Sequence, residues 1–357
     1  MKKFISLALI LISAGFVLAQ VTPTPQPKPL TQAEYVRLLY DLEKNPKKRD
    51  EVIEAVRKRG IAFVVTDGIK GLTTTKSRND AELKSALEEA GRRRENPAAS
   101  QMPSEKESVE VLAKARAANF AAIDEMPDFV VKQLISRSIG YAGTNNWKPL
   151  DRLVIAVSYS AEKGELYRVL SVNGTPVNAE QGSNYGGLEG ATTAGEFVED
   201  LKRVFKPESK TEFKPIDTAV LRNRRTIIYD YQIALENNKG GGVGLKGATY
   251  RSAAAGQKGR IWIDRDTFRV LRIEFKATDL PPSFPIKAFE NFTDYDWVEI
   301  GGEKYLLPIL SDARFTSTGS GSLIQSRNLI RFKEYQKFGS DVKILDSDDE
   351  EVPEEKP

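Results

Sequence analysis

Two pairs of carboxylates, Asp264 with Asp266 and Asp294 with Asp296, have a spacing from which chemistry could be built. Acids at i and i+2 face the same way on a strand, so either pair could hold a metal ion or divide the roles of acid and base. The first pair, however, falls in Asp264-Arg-Asp-Thr267, where short polar side chains bond the backbone of a bend. The second lies in a run expected to alternate between a buried and a wet face, and a wet face is enough to explain it. A glycine pattern, Gly242-Val-Gly244-Leu-Lys-Gly247, matches dinucleotide-binding spacing. That motif must open a helix whose N-terminus meets the pyrophosphate. Here Ala248-Thr-Tyr-Arg-Ser runs on as strand-like sequence, so a hairpin loop is the better account and no cofactor is implied. Tyr229, Tyr231, Trp262, Tyr295 and Trp297 could form an acyl- or sugar-binding platform, although ordinary sheet core explains each residue taken singly.

The chain has no histidine and no cysteine. The first absence removes Ser-His-Asp triads, histidine-ligated haem and the usual zinc hydrolases; the second removes disulfides and any lipid-modified cysteine. Carboxylate, Lys, Tyr or Ser/Lys chemistry remains available, and the expectation is a protein without enzymatic activity. A formal charge of +3 over 357 residues argues against nucleic acid as a partner.

The elements that must position these residues centre on Gly259 to Phe275, two β-branched and aromatic runs joined at Asp264 to Thr267, a hairpin onto which the later strands should pair in turn. Upstream, residues 1–19 have the charged, apolar and small-residue regions of an export signal cleaved after Ala19, which predicts a periplasmic or secreted protein. Residues 20–30 are a Pro-rich linker. Residues 31–95 read as a module of three helices. Thr31 and Glu34 form a capping box before Tyr35, Leu38, Leu39 and Leu42; Val52, Ile53 and Val56 line a second helix that Gly60 ends; and Asp80 to Arg94 makes the third. Arg92-Arg-Arg94 suits a helix C-terminus ahead of a linker at 96–103.

Residues 104–346 form the main domain. Ser104 and Glu107 cap a helix to about Ile123 with Val109, Leu112, Ala113, Arg116 and Phe120 on its packing side. Strands are expected at Phe129 to Ser138, Leu153 to Tyr159 and Leu166 to Val172, then a helix from Thr193 through Phe197, Leu201, Val204 and Phe205. Ile227, Tyr229, Tyr231, Ile233 and Leu235 alternate with polar neighbours, and Gly301-Gly302 joins two long strands before a last one at Leu323 to Phe338. Residues 347–357 are an acidic tail with little to bury. No later run is long enough to span a bilayer.

Trp262-Ile-Asp-Arg-Asp-Thr267, Leu271-Arg-Ile-Glu274, Asp294-Tyr295, Gly301-Gly-Glu-Lys-Tyr305-Leu-Leu-Pro308 and Phe332-Lys-Glu-Tyr335 together resemble the late strands of the outer-membrane lipoprotein-sorting family, most specifically over residues 260 to 346 and more loosely over 104 to 346. The resemblance implies an α+β fold: a curved antiparallel half-barrel sheet whose concave face is covered by two helices, at 104–123 and 193–205. It also implies an apolar cavity, with Phe120, Phe197, Leu201, Phe205, Tyr229, Tyr231, Ile233, Trp262 and Trp297 as candidates for its wall. The implied partner is a lipid or an acylated protein, bound and released without covalent chemistry. The helical module lies outside that family's fold and would serve a protein partner. Two rival functions remain open on the residues: an interaction module with a filled core, and a carboxylate-based hydrolase.

Overall fold

The computed structural model describes residues 28–338 apart from Ala99, Asn145, 178–195, 247–249 and Ser320. The export signal, most of the Pro-rich linker, Thr193 to Gly195, Gly247 and the acidic tail lie outside the described residues. The chain separates into two compact units, Met1–Arg94 and Glu95–Pro357.

The first unit has four α-helices where the sequence suggested three: α1 (Gln32–Lys44), α2 (Arg49–Arg59), α3 (Asp67–Lys76) and α4 (Ala81–Glu95). The capping box on α1 is complete, since Thr31 Oγ1 accepts from the Glu34 amide while Glu34 accepts from the Thr31 amide at 2.8 Å. The unforeseen helix is α3, whose sequence DGIKGLTTTK combines two glycines with three threonines, all poor helix formers. Tertiary contacts override that preference. Thr66 caps the helix, Ile69 joins the apolar core with Leu39, Ile53 and Leu87, and Thr73 gives its proton to the Ile69 carbonyl, leaving its oxygen to accept from the buried Tyr35 hydroxyl at 2.9 Å. Arg92 pairs with the buried Glu89 at 2.8 Å and Arg93 reaches the Arg57 carbonyl, so two members of the arginine run are engaged inside the unit.

The second unit begins with α5 (Glu105–Asp124), followed by β1 (Phe129–Tyr141), β2 (Lys148–Ser160), β3 (Gly164–Val172), β4 (Thr175–Pro176) and α6 (Glu199–Phe205). Then come β5 (Glu212–Leu221), β6 (Arg224–Ile233), β7 (Gly242–Lys246), β8 (Tyr250–Ala254), β9 (Gly256–Asp264), β10 (Val270–Thr278), β11 (Ile286–Ile300), β12 (Glu303–Gly319) and β13 (Ser322–Lys337). Eleven strands make one antiparallel sheet in the order β4-β3-β2-β1-β13-β12-β11-β10-β9-β6-β5, which does not close on itself; β7 and β8 form a separate hairpin. The β9–β10 hairpin and the later strands pair in turn as expected, and β11 and β12 meet at Gly301-Gly302 with φ of 63° and 88°, a turn that favours glycine at both places. The sequence gives no warning of β5, because Pro215 and Asp217 interrupt its pattern. Both are tolerated at the sheet edge, where the register shifts between them.

One face of the sheet, called inner here, carries the helices. Val111, Ala115 and Ile123 of α5 and Leu201, Val204 and Phe205 of α6 share a core with Val131, Ile155, Ile227, Tyr229, Ile261, Ile273, Tyr295 and Ile330. Further along the same face, Phe275, Phe289 and Phe315 stack beneath Val243 of the β7–β8 hairpin and Phe284. Each apolar side chain buried in this way contributes about 1.5–3 kcal/mol.

Candidate ligand-binding face

The side of α5 that meets the sheet is Ser108, Val111, Ala115, Asn119 and Ile123, while Val109, Ala113 and Arg116 face outward. The packing stripe is therefore rotated from the one the apolar periodicity suggested. The reason is chemical: two of these five contact positions, Ser108 and Asn119, are polar, which a hydrophobic pattern does not register, while Leu112 and Phe120 of the expected side pack at the core's margin. Polar bonds supply what apolar area does not. The Tyr229 hydroxyl donates to the Ser108 carbonyl at 3.2 Å, Asn119 Nδ2 donates to the Phe268 carbonyl at 3.3 Å, and the Val270 amide donates to Asn119 Oδ1 at 3.4 Å. Glu107 forms an ion pair with Arg265 at 3.1 Å, so only the Ser104 half of the second capping box concerns the helix end. The segment ahead of α5 is also tied to the sheet unit, through Thr218 to the Ser100 carbonyl and Arg265 to the Gln101 carbonyl.

Six of the candidate wall residues come together. Phe197, Leu201, Phe205, Tyr229, Tyr231 and Ile233 all belong to the inner core, none more than 7% exposed. Phe197 stands just before α6 and packs on Phe129 and Phe332, with ring centroids 5.3 and 5.4 Å away, and Phe205 stacks on Phe213 of β5. Phe120 and Trp297 are half-buried and pack against that core from its margin. Trp262 does not belong to the wall. Ile261 and Ile263 point inward, so the residue between them must point outward, and Trp262 packs there with Ala219 and Ile228. Leu235 likewise leaves the alternation, exposed in a short turn after β6.

Two polar features interrupt the inner face. Asp200 is buried, and burial pushes its carboxyl up to about 6 against the pull of Arg203, 2.8 Å away. Burial likewise raises the phenols of Tyr231 and Tyr295, which are engaged by Gln257 at 2.7 Å and by the Glu196 carbonyl at 2.9 Å. Gln133, between Val131 and Ile135 on β1, is fully buried with neither amide atom partnered.

The paired carboxylates have structural roles. Asp264 accepts from the Asp266 and Thr267 amides at 2.8 and 3.1 Å and from Arg224 at 2.9 Å, which holds the hairpin turn shut, while Asp266 projects outward. Asp294 is gripped by both ends of the Arg272 guanidinium, at 2.7 and 2.8 Å, and by Arg222 at 3.2 Å; Asp296 faces Arg222 at 3.5 Å. Among the described residues no cluster of three or more acids could hold a metal ion. Gly242 to Lys246 is strand β7, with no helix N-terminus to receive a pyrophosphate. Sequence reasoning passed over Arg224 and Arg269, which flank the Trp297 ring; the basic run Arg222-Asn-Arg-Arg225 in a turn was the available signal.

No protein-family model matches the chain, and no curated protein is similar to it. Solved structures similar to it include a LolA superfamily protein from Nitrosomonas europaea, 10% identical over 63% of this chain and 91% of that one, with a TM-score of 0.25. A DUF1329 family protein from Desulfovibrio piger is 10% identical over 64% and 92%, with a TM-score of 0.30. The MucA/MucB complex of Pseudomonas aeruginosa contains a chain 10% identical over 63% and 93%, with a TM-score of 0.17.

Proposed function

We propose that the sheet unit is an exported carrier that takes an apolar chain, from a lipid or a lipidated protein, onto the inner face of its sheet and releases it without covalent chemistry. The observation that carries this reading is the character of α5. It covers the largest apolar core of the unit, burying Val111, Ala115 and Ile123 there, yet Ser108 and Asn119 interrupt that stripe, and the helix is bonded to Tyr229 and the β9–β10 turn. A helix packed for permanence would bury a continuous apolar stripe. One latched by polar contacts can lift at small expense, because water replaces each bond. An acyl chain would then restore the lost burial at about 25 cal/mol per Å².

Native mass spectrometry of the protein purified from its own envelope, followed by organic extraction, tests the proposal. A stoichiometric acyl species supports it. A bare protein that also fails to take up a fluorescent fatty acid would sink it.

A further inference from the structure

Trp297 on β11 is flanked by two guanidinium groups, those of Arg224 and Arg269, each 5.9 Å from the ring centroid. The two cations are not equivalent. Arg224 is paired with Asp264 at 2.9 Å, whereas Arg269 has no ion pair and no side-chain hydrogen bond among the described residues; Glu125 acts on it only through space. Its Nε–H and the indole Nε1–H of Trp297 are both buried without an acceptor. Buried donors nearly always have a partner, and a desolvated guanidinium nearly always has an anion beside it. Burial also lowers the proton affinity of Arg269, as expected of a cation without a close counter-charge.

Phe120, Met126, Phe268 and Trp297 are partly buried apolar side chains packed against the inner core, and Lys114 adds a further positive charge 4.8 Å from the Phe268 ring. Helix α5 is bonded to the backbone of residues 268 and 270, on either side of Arg269. Two donors without an acceptor on and beside a cation suit a group with negative charge and oxygen acceptors, and the apolar side chains suit an apolar body.

We infer that Arg269 and Trp297 form an oxyanion site for the carboxylate or phosphate head group of an amphiphile whose chain occupies the inner face. The inference rests on the carrier reading and narrows its ligand to an acidic one. The planar guanidinium accommodates two anion oxygens side by side, the indole N–H supplies a further donor, and Arg224, 5.9 Å from the ring centroid, is already neutralised by Asp264.

The test titrates cis-parinaric acid and its methyl ester, by fluorescence, into the purified protein and its Arg269→Gln and Arg269→Lys variants, with inorganic phosphate alone measured by calorimetry. Thermal melting of each variant controls for folding. The expected result is that the acid binds roughly tenfold more tightly than the ester, that Arg269→Gln abolishes the preference without changing ester affinity, and that Arg269→Lys retains part of it. Equal binding of acid and ester, or a preference that survives Arg269→Gln, overturns the site and leaves the carrier reading standing. If neither probe binds, the carrier reading fails. Phosphate binding that Arg269→Gln abolishes would then keep the oxyanion site with a free ion as its ligand, and no phosphate binding would overturn it as well.

Discussion

Trp262 on β9 lies directly opposite Ile228 on β6, and the pair packs on the face of the sheet that α5 and α6 leave free. Replacing Trp262 by Ala should therefore destabilise the unit by about 3 kcal/mol in urea unfolding while leaving fatty-acid uptake unchanged. The inward Tyr231→Ala variant should lose both stability and uptake.

Asp264 and Asp266 are separated by one residue and by opposite environments, since Asp264 is wholly buried and Asp266 exposed. Asp264→Ala removes the acceptor for two amides and leaves Arg224 unpaired, with an expected loss of about 3 kcal/mol. Asp266→Ala should stay within about 0.5 kcal/mol of the parent. Equal effects in chemical denaturation would contradict the turn-holding role.

A Cβ at Gly259 would stand 1.8 Å from the Glu274 carbonyl oxygen of the paired strand, and backbone cannot yield as a side chain can. Gly259→Ala should give little or no soluble protein. Gly71 in α3 has open space around it, so Gly71→Ala should raise stability by about 0.5–1 kcal/mol through better helix propensity. Soluble yield and melting temperature together check the contrast.

Asp200 in the folded chain holds its proton up to about pH 6, against an ordinary value of 3.8. Because the folded value is the higher one, its favourable contribution is complete below the ordinary value and is lost as pH rises through 6. Arg203 and Glu199 are the charges that face it on the same helix. Amide exchange of α6, corrected for intrinsic rates, should show weaker protection at pH 7 than at pH 4.5, and Asp200→Asn should flatten the difference.

Gln133 is buried without a partner for either amide atom. Gln133→Leu keeps the volume and removes the desolvated dipole, so a gain of about 1–3 kcal/mol is expected. A loss of stability would mean that Gln133 is satisfied by a group it does not meet in this state.

How much of this was legible in the sequence depends on whether a residue's own chemistry or its neighbours set its position. The β9–β10 hairpin, the Gly301-Gly302 turn and the Thr31 cap were readable because each is local: a bend needs small or polar residues, and a helix end needs an acceptor. Tyr229, Tyr231 and Ile233 followed from strict alternation. Trp262 was misplaced because size and apolarity were taken to imply the inner face, when its parity with Ile261 and Ile263 already placed it outside. The side of α5 that packs could not be read, since the Ser108 hydroxyl is satisfied within the helix by the Ser104 carbonyl and Asn119 finds its partners on the Phe268–Val270 backbone. Arg269 was invisible for a related reason: an arginine without an acid is a fact about its surroundings.

The pairing of β1 with β13 sets Phe129 beside Lys337, so an early strand of the sheet waits for the last one. A chain emerging from its N-terminus can fold β1, β2 and β3 as a meander, but that meander keeps one naked edge until β13 arrives. Bare strand edges recruit other chains, and pairing across so long a stretch is slow. Assembly of this unit is thus a race between the pairing of β1 with β13 and association with other chains. Removing β13 would expose two edges at once, on β1 and β12, and should yield aggregates instead of a smaller sheet.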